Sequence, residues 1–329
     1  MSLVARLEAA QVDWFPALVE HSANLVVVVD GSGVVSFANP AALATFGVSN
    51  EDVIGSNAFR FICPDDLERL TGRLDELLRR PGTSNTDKVH FVSSGGDIRV
   101  LEIVATNLLD DEVISGIVIN GHDVTERDRY LASLEATLDA VTASVSTMVE
   151  LRDPYTAGHQ REVAGIAIAI ARDLALSDDE VRGIEVAATI HDIGKIAIPA
   201  EILARPGGLS VVEFEMVKTH SLAGHDIVAE VPFPWPVAEM ILQHHERLDG
   251  SGYPRGLAGE EILFGSRIVA VADVLSAMSA HRPYRAALGK AAALDELQAN
   301  RGRLYDTDAV DSLLGIAGRH GSDFADWSI

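Results

Sequence analysis

Most of the eleven histidines fall between His159 and His281, and several stand where a surface histidine would not. His159 opens a helical period that continues through Val163, Ile166, Ile170 and Leu174. His191 extends the stripe of Ile184, Ala187 and Ala188, and His244 follows Val237, Met240 and Ile241 at helical spacing. Each imidazole is thereby turned toward a core. One inward histidine is ordinarily a hydrogen-bonded core residue, but several on separate helices each need a partner. Asp273 lies in Ile268-Val269-Ala270-Val271-Ala272-Asp273-Val274-Leu275, apolar all round and so central to its domain. An ionised carboxylate there is costly unless paired or bound to metal. Asp192 adjoins His191 in Ile190-His191-Asp192-Ile193-Gly194-Lys195. Such a pair at a helix end can give one metal an imidazole while the carboxylate bridges to a second. His244-His245 adds two more nitrogens. Imidazole and carboxylate without thiolate suit Fe, Mn or Zn, and a carboxylate-bridged pair suits two-metal hydrolysis. A buried ion-pair network would account for Asp273 alone, but not for the set.

Two neighbouring features extend this chemistry. Lys195, one turn after His191, is predicted to share its helix face and offer a cation to a phosphate oxygen. From spacing alone, a solvated lysine at a helix end fits equally well. Asp249-Gly250-Ser251-Gly252-Tyr253-Pro254 cannot continue the helix of His244-His245. It forms a loop at the entrance, with Tyr253 as an aromatic surface for a base, or a plain connector.

The elements that must position these residues differ along the chain. From Leu151 on the chain reads as all helix, broken at Arg205-Pro206-Gly207-Gly208 and between Val231 and Pro236. The first third reads as short strands and turns: Leu25–Val29 and Val34–Phe37 around Asp30-Gly31-Ser32-Gly33, then Lys88–Val92, Ile98–Asn107 and Val113–Asn120. Helices are expected over Pro40–Phe46 and Pro64–Leu78, giving a small α+β domain with one antiparallel sheet. Between the two parts, Leu131, Leu134, Leu138, Val141, Val145 and Met148 follow a 3-4 spacing, the seam of a two-stranded coiled coil. An amphipathic helix packed on its own domain would show the same spacing.

The 329 residues carry 49 acidic against 26 basic side chains, a formal net charge of −23. That argues against duplex nucleic acid and anionic membranes, both of which need a basic surface. The single cysteine, Cys63, excludes an internal disulfide and a multi-cysteine metal site. No signal peptide is legible in the N-terminal residues, and no apolar run approaches the roughly 20 residues of a membrane span. A soluble cytoplasmic protein is expected.

Two resemblances follow. The stretch from about Val12 to Arg127 resembles a PAS sensory domain through Phe37-Ala38-Asn39-Pro40-Ala41-Ala42, Val53-Ile54-Gly55, Pro64-Asp65-Asp66, Gly116-Ile117-Val118 and Asp123-Val124-Thr125-Glu126-Arg127. No ligand is legible for it: Cys63 stands outside a flavin-adduct motif, and His90 reads as a strand histidine rather than a haem ligand. The stretch from Leu151 to Phe324 closely resembles an HD-GYP domain, the cyclic di-GMP phosphodiesterase branch of the HD hydrolases. The similar parts are Arg152-Asp153-Pro154-Tyr155-Thr156-Ala157-Gly158-His159, His191-Asp192-Ile193-Gly194-Lys195, Lys218-Thr219-His220, His244-His245-Glu246, the loop through Tyr253-Pro254, Ala272-Asp273 and Arg282-Pro283-Tyr284-Arg285.

These resemblances imply a PAS domain over 12–127, a coiled-coil signalling helix over 128–150 and an all-α metal-dependent phosphohydrolase domain over 151–324. They imply His159, His191, Asp192, His220, His244, His245 and Asp273 as metal ligands, with Asp192 the bridge between two divalent ions, Fe or Mn foremost and Zn as a further option. His191, Asp192 and Lys195 would be catalytic, Lys195 meeting the scissile phosphate. Tyr253, Arg282 and Arg285 would bind substrate, the guanidinium forks suiting phosphate and guanine. Some members hold a third metal through a glutamate where this chain has Tyr155; two metals and linear pGpG are therefore expected. His281 stands where the family often has an acid. The implied function is a PAS-regulated cyclic di-GMP phosphodiesterase in which the metals activate water. It would act as a homodimer through residues 131–148, with signalling proteins as further partners. The alternatives are an HD-type phosphohydrolase for another nucleotide, or a non-catalytic cyclic di-GMP receptor or scaffold.

Overall fold

The β-branched run Leu25–Val29 forms strand β1, with Leu25, Val27 and Val29 facing the core. Asp30 turns the chain: its carboxylate accepts from the Ser32 and Val34 N–H groups at 2.8 and 3.0 Å, and Gly33 takes a left-handed φ of 83°. Strand β2, Val35–Ala38, returns and hands over to Asn39, which caps helix α1, Pro40–Phe46. Helix α2, Pro64–Leu78, precedes β3 (Ser84–Val92), β4 (Ile98–Leu108) and β5 (Gly116–Asp123). The strands form one antiparallel sheet in the order β2-β1-β5-β4-β3, the α+β domain that was expected. Phe46, Phe61 and Phe91 pack together beneath it, ring centroids 4.5 to 5.7 Å apart.

The structure, a computed structural model, describes residues 15–153, 158–205, 207–279 and 289–320. Tyr155, His281, Arg282 and Arg285 lie outside the described residues, as do the ends of the ranges 12–127 and 151–324. Two strands start three or more residues away from where they are expected. β3 begins at Ser84 rather than Lys88, because the polar stretch Ser84–Asp87 sits on an edge strand that pairs with β4 through Thr106–Ile103. β5 begins at Gly116 rather than Val113, because the Asp111 carboxylate captures the Val113 and Ile114 N–H groups, both at 2.9 Å, in a turn.

Contacts divide the chain into Met1–Glu135 and Ala136–Ile329. One uninterrupted helix, α3, runs from Thr125 to Arg152. Of its seam, Leu131, Leu134, Val141 and Met148 are exposed, whereas Leu138 and Val145 are half-buried. The rest is helical: α4 (His159–Asp173), α5 (Asp178–Ile190), α6 (Val211–Lys218), α7 (His220–Val228), α8 (Val237–Gln243), α9 (Phe264–Ser279), α10 (Lys290–Ala299) and α11 (Thr307–His320). Helix α9 is the centre, packing on α4, α5, α8 and α10. Its Ile268, Val271 and Leu275 meet Ile166, Ile170, Ile184 and Ile241 in one apolar cluster. Among the described residues no helix is long and apolar enough to cross a membrane.

Candidate metal centre

The ligand candidates sit where helices begin, end or cross. His159 is the first residue of α4, His191 the cap that ends α5, His220 the first residue of α7 and His244 the cap that ends α8; Asp273 comes from mid-α9. Terminal positions let a side chain point inward while the backbone leaves the helix. The close approach of two of these termini depends on glycine. A Cβ on Gly194 would lie 1.9 Å from the His220 carbonyl oxygen and 2.4 Å from the Gly224 nitrogen. Without it, the segment after Asp192 rests directly on α7 and brings His220 Nε2 within 3.4 Å of Asp192 Oδ1.

Three imidazoles share one orientation. The Nδ1 atoms of His191, His220 and His244 lie 2.7, 2.6 and 2.5 Å from the carbonyls of Ala188, Val217 and Ile241, each three residues back. A carbonyl only accepts, so Nδ1 carries the proton and Nε2 presents its lone pair inward. The consequence is an unclosed arrangement. His220 and His244 Nε2 face each other at 3.3 Å, lone pair to lone pair, and the buried His191 Nε2 has no hydrogen-bond partner. With metal–nitrogen bonds of about 2.1 Å, two nitrogens this far apart can share one ion. Three overlapping groups meet this requirement: His220/His244/His245, His159/His191/Asp273 and His191/Asp192/His244, the donor atoms of each within 4.8 Å of one another.

Protonation agrees with ligation. Burial, reinforced by His191 and His220, pushes the imidazole of His244 down to about 3. Burial likewise lowers His220, and lowers His245 well below the ordinary range. Burial alone would raise the carboxylates. For Asp192 it is outweighed by the Lys195 ammonium, and for Asp273 by the His159 imidazole beside it, so both stay well below the usual range. Neutral imidazoles beside ionised carboxylates are the form that binds divalent metal. The residues present fit a metal centre.

All the sequence-predicted ligands thus converge. His159 Nε2 is 3.1 Å from Asp273 Oδ1, and His245 Nδ1 is 3.9 Å from Asp273 Oδ2. The placement of Lys195 corrects its expected shared helix face with His191. Helix α5 stops at Ile190, and Ile193–Ala197 is a tight 3₁₀ turn. Lys195 therefore faces Asp192 at 2.7 Å and Asp153 at 3.5 Å, only 7% exposed, which excludes a solvated lysine. Tyr253 lies beside the cluster, its ring 4.8 Å from that of His245 and 5.4 Å from the Lys218 ammonium.

Sequence reasoning passed over several supporting side chains. His159 Nδ1 reaches Ser276 Oγ at 2.8 Å, and that hydroxyl donates to Glu162 Oε2 at 2.6 Å. Both sit three residues from a ligand, Glu162 after His159 and Ser276 after Asp273, a spacing that would have flagged them. The buried Glu246 accepts from the backbone N–H groups of Arg255, Gly256 and Leu257 at 2.7 to 3.1 Å and so pins the loop carrying Tyr253. Gly252 lets that loop lie on the chain at Glu246, which a Cβ would approach to 2.4 Å.

Residues 143–309, half of the chain, match the family profile of the HD domain, and residues 19–129 match that of the PAS fold. The chain belongs to the HD domain family and carries a PAS-fold domain in front. It is 43% identical over 191 residues to the cyclic di-GMP phosphodiesterase response regulator RpfG of Xanthomonas campestris, covering 56% of this chain and 50% of that protein. It is 39% identical over 191 residues to a cyclic di-GMP phosphodiesterase of Thermotoga maritima (57% and 52%). To the 3′3′-cGAMP-specific phosphodiesterase 3 of Vibrio cholerae it is 35% identical over 225 residues (66% and 48%). The chain spans about half the length of these curated relatives.

Proposed function

We propose that this chain hydrolyses one phosphodiester of cyclic di-GMP to linear pGpG, under control of its PAS-fold domain. The carrying observation is the converging set of Nε2 lone pairs around Asp192, which calls for cations and leaves donors enough for two. Two divalent ions, Fe or Mn foremost and Zn as the alternative, would supply Lewis acidity and an activated water when bound. His159, His191, Asp192, His220, His244, His245 and Asp273 would hold them, Asp192 lying between the two groups of histidines. Lys195 brings positive charge to the non-bridging phosphate oxygens, and Asp153 steadies its ammonium. Tyr253 offers its face to a guanine, and Arg282 and Arg285 grip the phosphates. Burial of the cluster keeps bulk water out, which strengthens each of these interactions.

The three segments are read as a PAS domain over 12–127, a signalling helix over 128–150 and the hydrolase domain over 151–324. The exposed Leu131, Leu134 and Val141 support pairing of two copies through residues 131–148, in the cytoplasm and with signalling proteins as partners. The more similar relatives are named for cyclic di-GMP and a less similar one for 3′3′-cGAMP, so the latter is the second substrate reading. Incubating the purified chain with Mn²⁺ and either dinucleotide, followed by chromatography, tests the proposal. Time-dependent pGpG supports it; tight binding of cyclic di-GMP without any product would make the protein a receptor instead.

A further inference from the structure

The end of α3 holds both chain neighbours of His159. The Gly158 N–H donates to Glu150 Oε1 at 2.9 Å, and Ser146 Oγ donates to the side-chain oxygen of Gln160. Ser146 and Glu150 are four residues apart and share a face of α3. Ser146 and Gln160 are buried, and Val149 of the same face belongs to the apolar cluster of this domain. The start of α4 needs such support. Gly158 takes a left-handed φ of 79° and has no side chain to cap the helix. The Glu150 carboxylate accepts from the N–H of Gly158 itself, the bond that the glutamate of a capping box would make, and sets an anion at the positive end of α4.

The His159 ring is fixed by a different helix. Its Nδ1 meets Ser276 of α9, and its Nε2 faces Asp273 of α9. The imidazole is thus oriented by α9, while the backbone that carries it is anchored by α3. We propose that Glu150, with Ser146 behind it, is a positioning residue of the metal centre, setting where α4 begins and hence where His159 Nε2 stands relative to Asp273. The inference rests on the reading of His159 as a metal ligand of a hydrolase. It gives α3, the helix that starts at Thr125, a direct hold on the first ligand.

The test is Mn²⁺ affinity of the full chain by calorimetric titration, with kcat and KM for cyclic di-GMP measured beside it. E150A is expected to weaken Mn²⁺ binding about 10-fold and to lower kcat while KM stays put. E150Q keeps an acceptor for the Gly158 N–H and should recover most of the affinity. S144A, on an exposed stretch of the same helix, should change neither. If E150A does not fold, E150D replaces it: the shorter side chain falls short of Gly158 and should weaken binding where E150Q does not. Wild-type Mn²⁺ affinity in folded E150A, or in E150D, would overturn the proposal. A wild-type chain that binds Mn²⁺ but leaves cyclic di-GMP intact would sink the hydrolase reading, while the affinity series still decides the part played by Glu150.

Discussion

Two sets of buried polar groups, one in each part of the molecule, are satisfied in opposite ways. In the sheet domain, Asn39 closes all of its hydrogen bonds on backbone. Its oxygen accepts from the Val26 and Ala42 N–H groups, and its amide donates to the Val19 and Asn24 carbonyls, each at 3.0 Å. Asn107 likewise donates to Leu77 and accepts from Leu109. In the helical domain, His191, His220, His244, Asp192 and Asp273 face one another, and lone pairs meet lone pairs. Burial is equal in the two cases. What separates a structural polar residue from a site is whether donors and acceptors balance without an added ion.

The largest effect expected from breaking this contrast is on chemistry. Replacing His191 and Asp192 together with alanine should lower pGpG formation by more than about 100-fold, beyond the usual loss from an outer-shell partner. The circular dichroism spectrum should be unchanged. Retained activity in the folded, Mn²⁺-treated double variant would show that the cluster is not the reaction centre.

Lys195→Met probes the same imbalance through stability. The substitution leaves the Asp192 and Asp153 carboxylates buried without their shared cation, at a cost of about 3–5 kcal/mol for a broken buried pair. With chelator present the full loss should appear in denaturant unfolding of the helical domain. Saturating Mn²⁺ should recover part of it, because a bound cation replaces the missing charge at Asp192. An identical loss with and without metal would mean that Asp192 meets no ion.

The histidine positions and Asp273 were legible because an inward ionisable residue on an apolar helical stripe contradicts the hydrophobic pattern, and the pattern is local. Strand β1 and helices α1 and α2 were legible for the same reason. Lys195 was not placed correctly, since helical spacing was extended across His191, where the chain leaves α5 for a 3₁₀ turn. That break follows from the contact between Gly194 and α7, a tertiary fact with no signature in the neighbouring residues. Asp153, named only within a motif, and Glu150 were given no role because their partners lie 42 and 8 positions away.

A milder test sharpens the sheet-domain side. Asn39→Ala leaves the Val26 and Ala42 N–H groups without this partner, takes one donor from each of the Val19 and Asn24 carbonyls and removes the α1 cap, so a loss of about 1–3 kcal/mol is expected. Slower-exchanging amides of β1 and β5 should report it by hydrogen exchange, while Mn²⁺ titration stays as in wild type. A change in metal affinity would refute the separation drawn between the two kinds of buried polar group.

The smallest effect is a pH dependence at Asp66, a sheet-domain carboxylate that resembles the site in being buried and charged. Burial alone would raise it. Hydrogen bonds from Arg69 and from the backbone and ring of His90 outweigh that and hold it at about 2, against an ordinary 3.8. A carboxyl depressed in the folded state binds its proton more readily when unfolded, so its contribution to stability is complete above about pH 4. That contribution is lost as pH falls through about 2. Asp66→Asn should therefore be less stable than wild type at neutral pH, and the gap should close as the pH falls toward 2. Hydrogen exchange of β3 amides across this range measures it. A gap independent of pH would mean that the contact works through shape and hydrogen bonding alone, leaving charge in this domain without the role it has at Asp192.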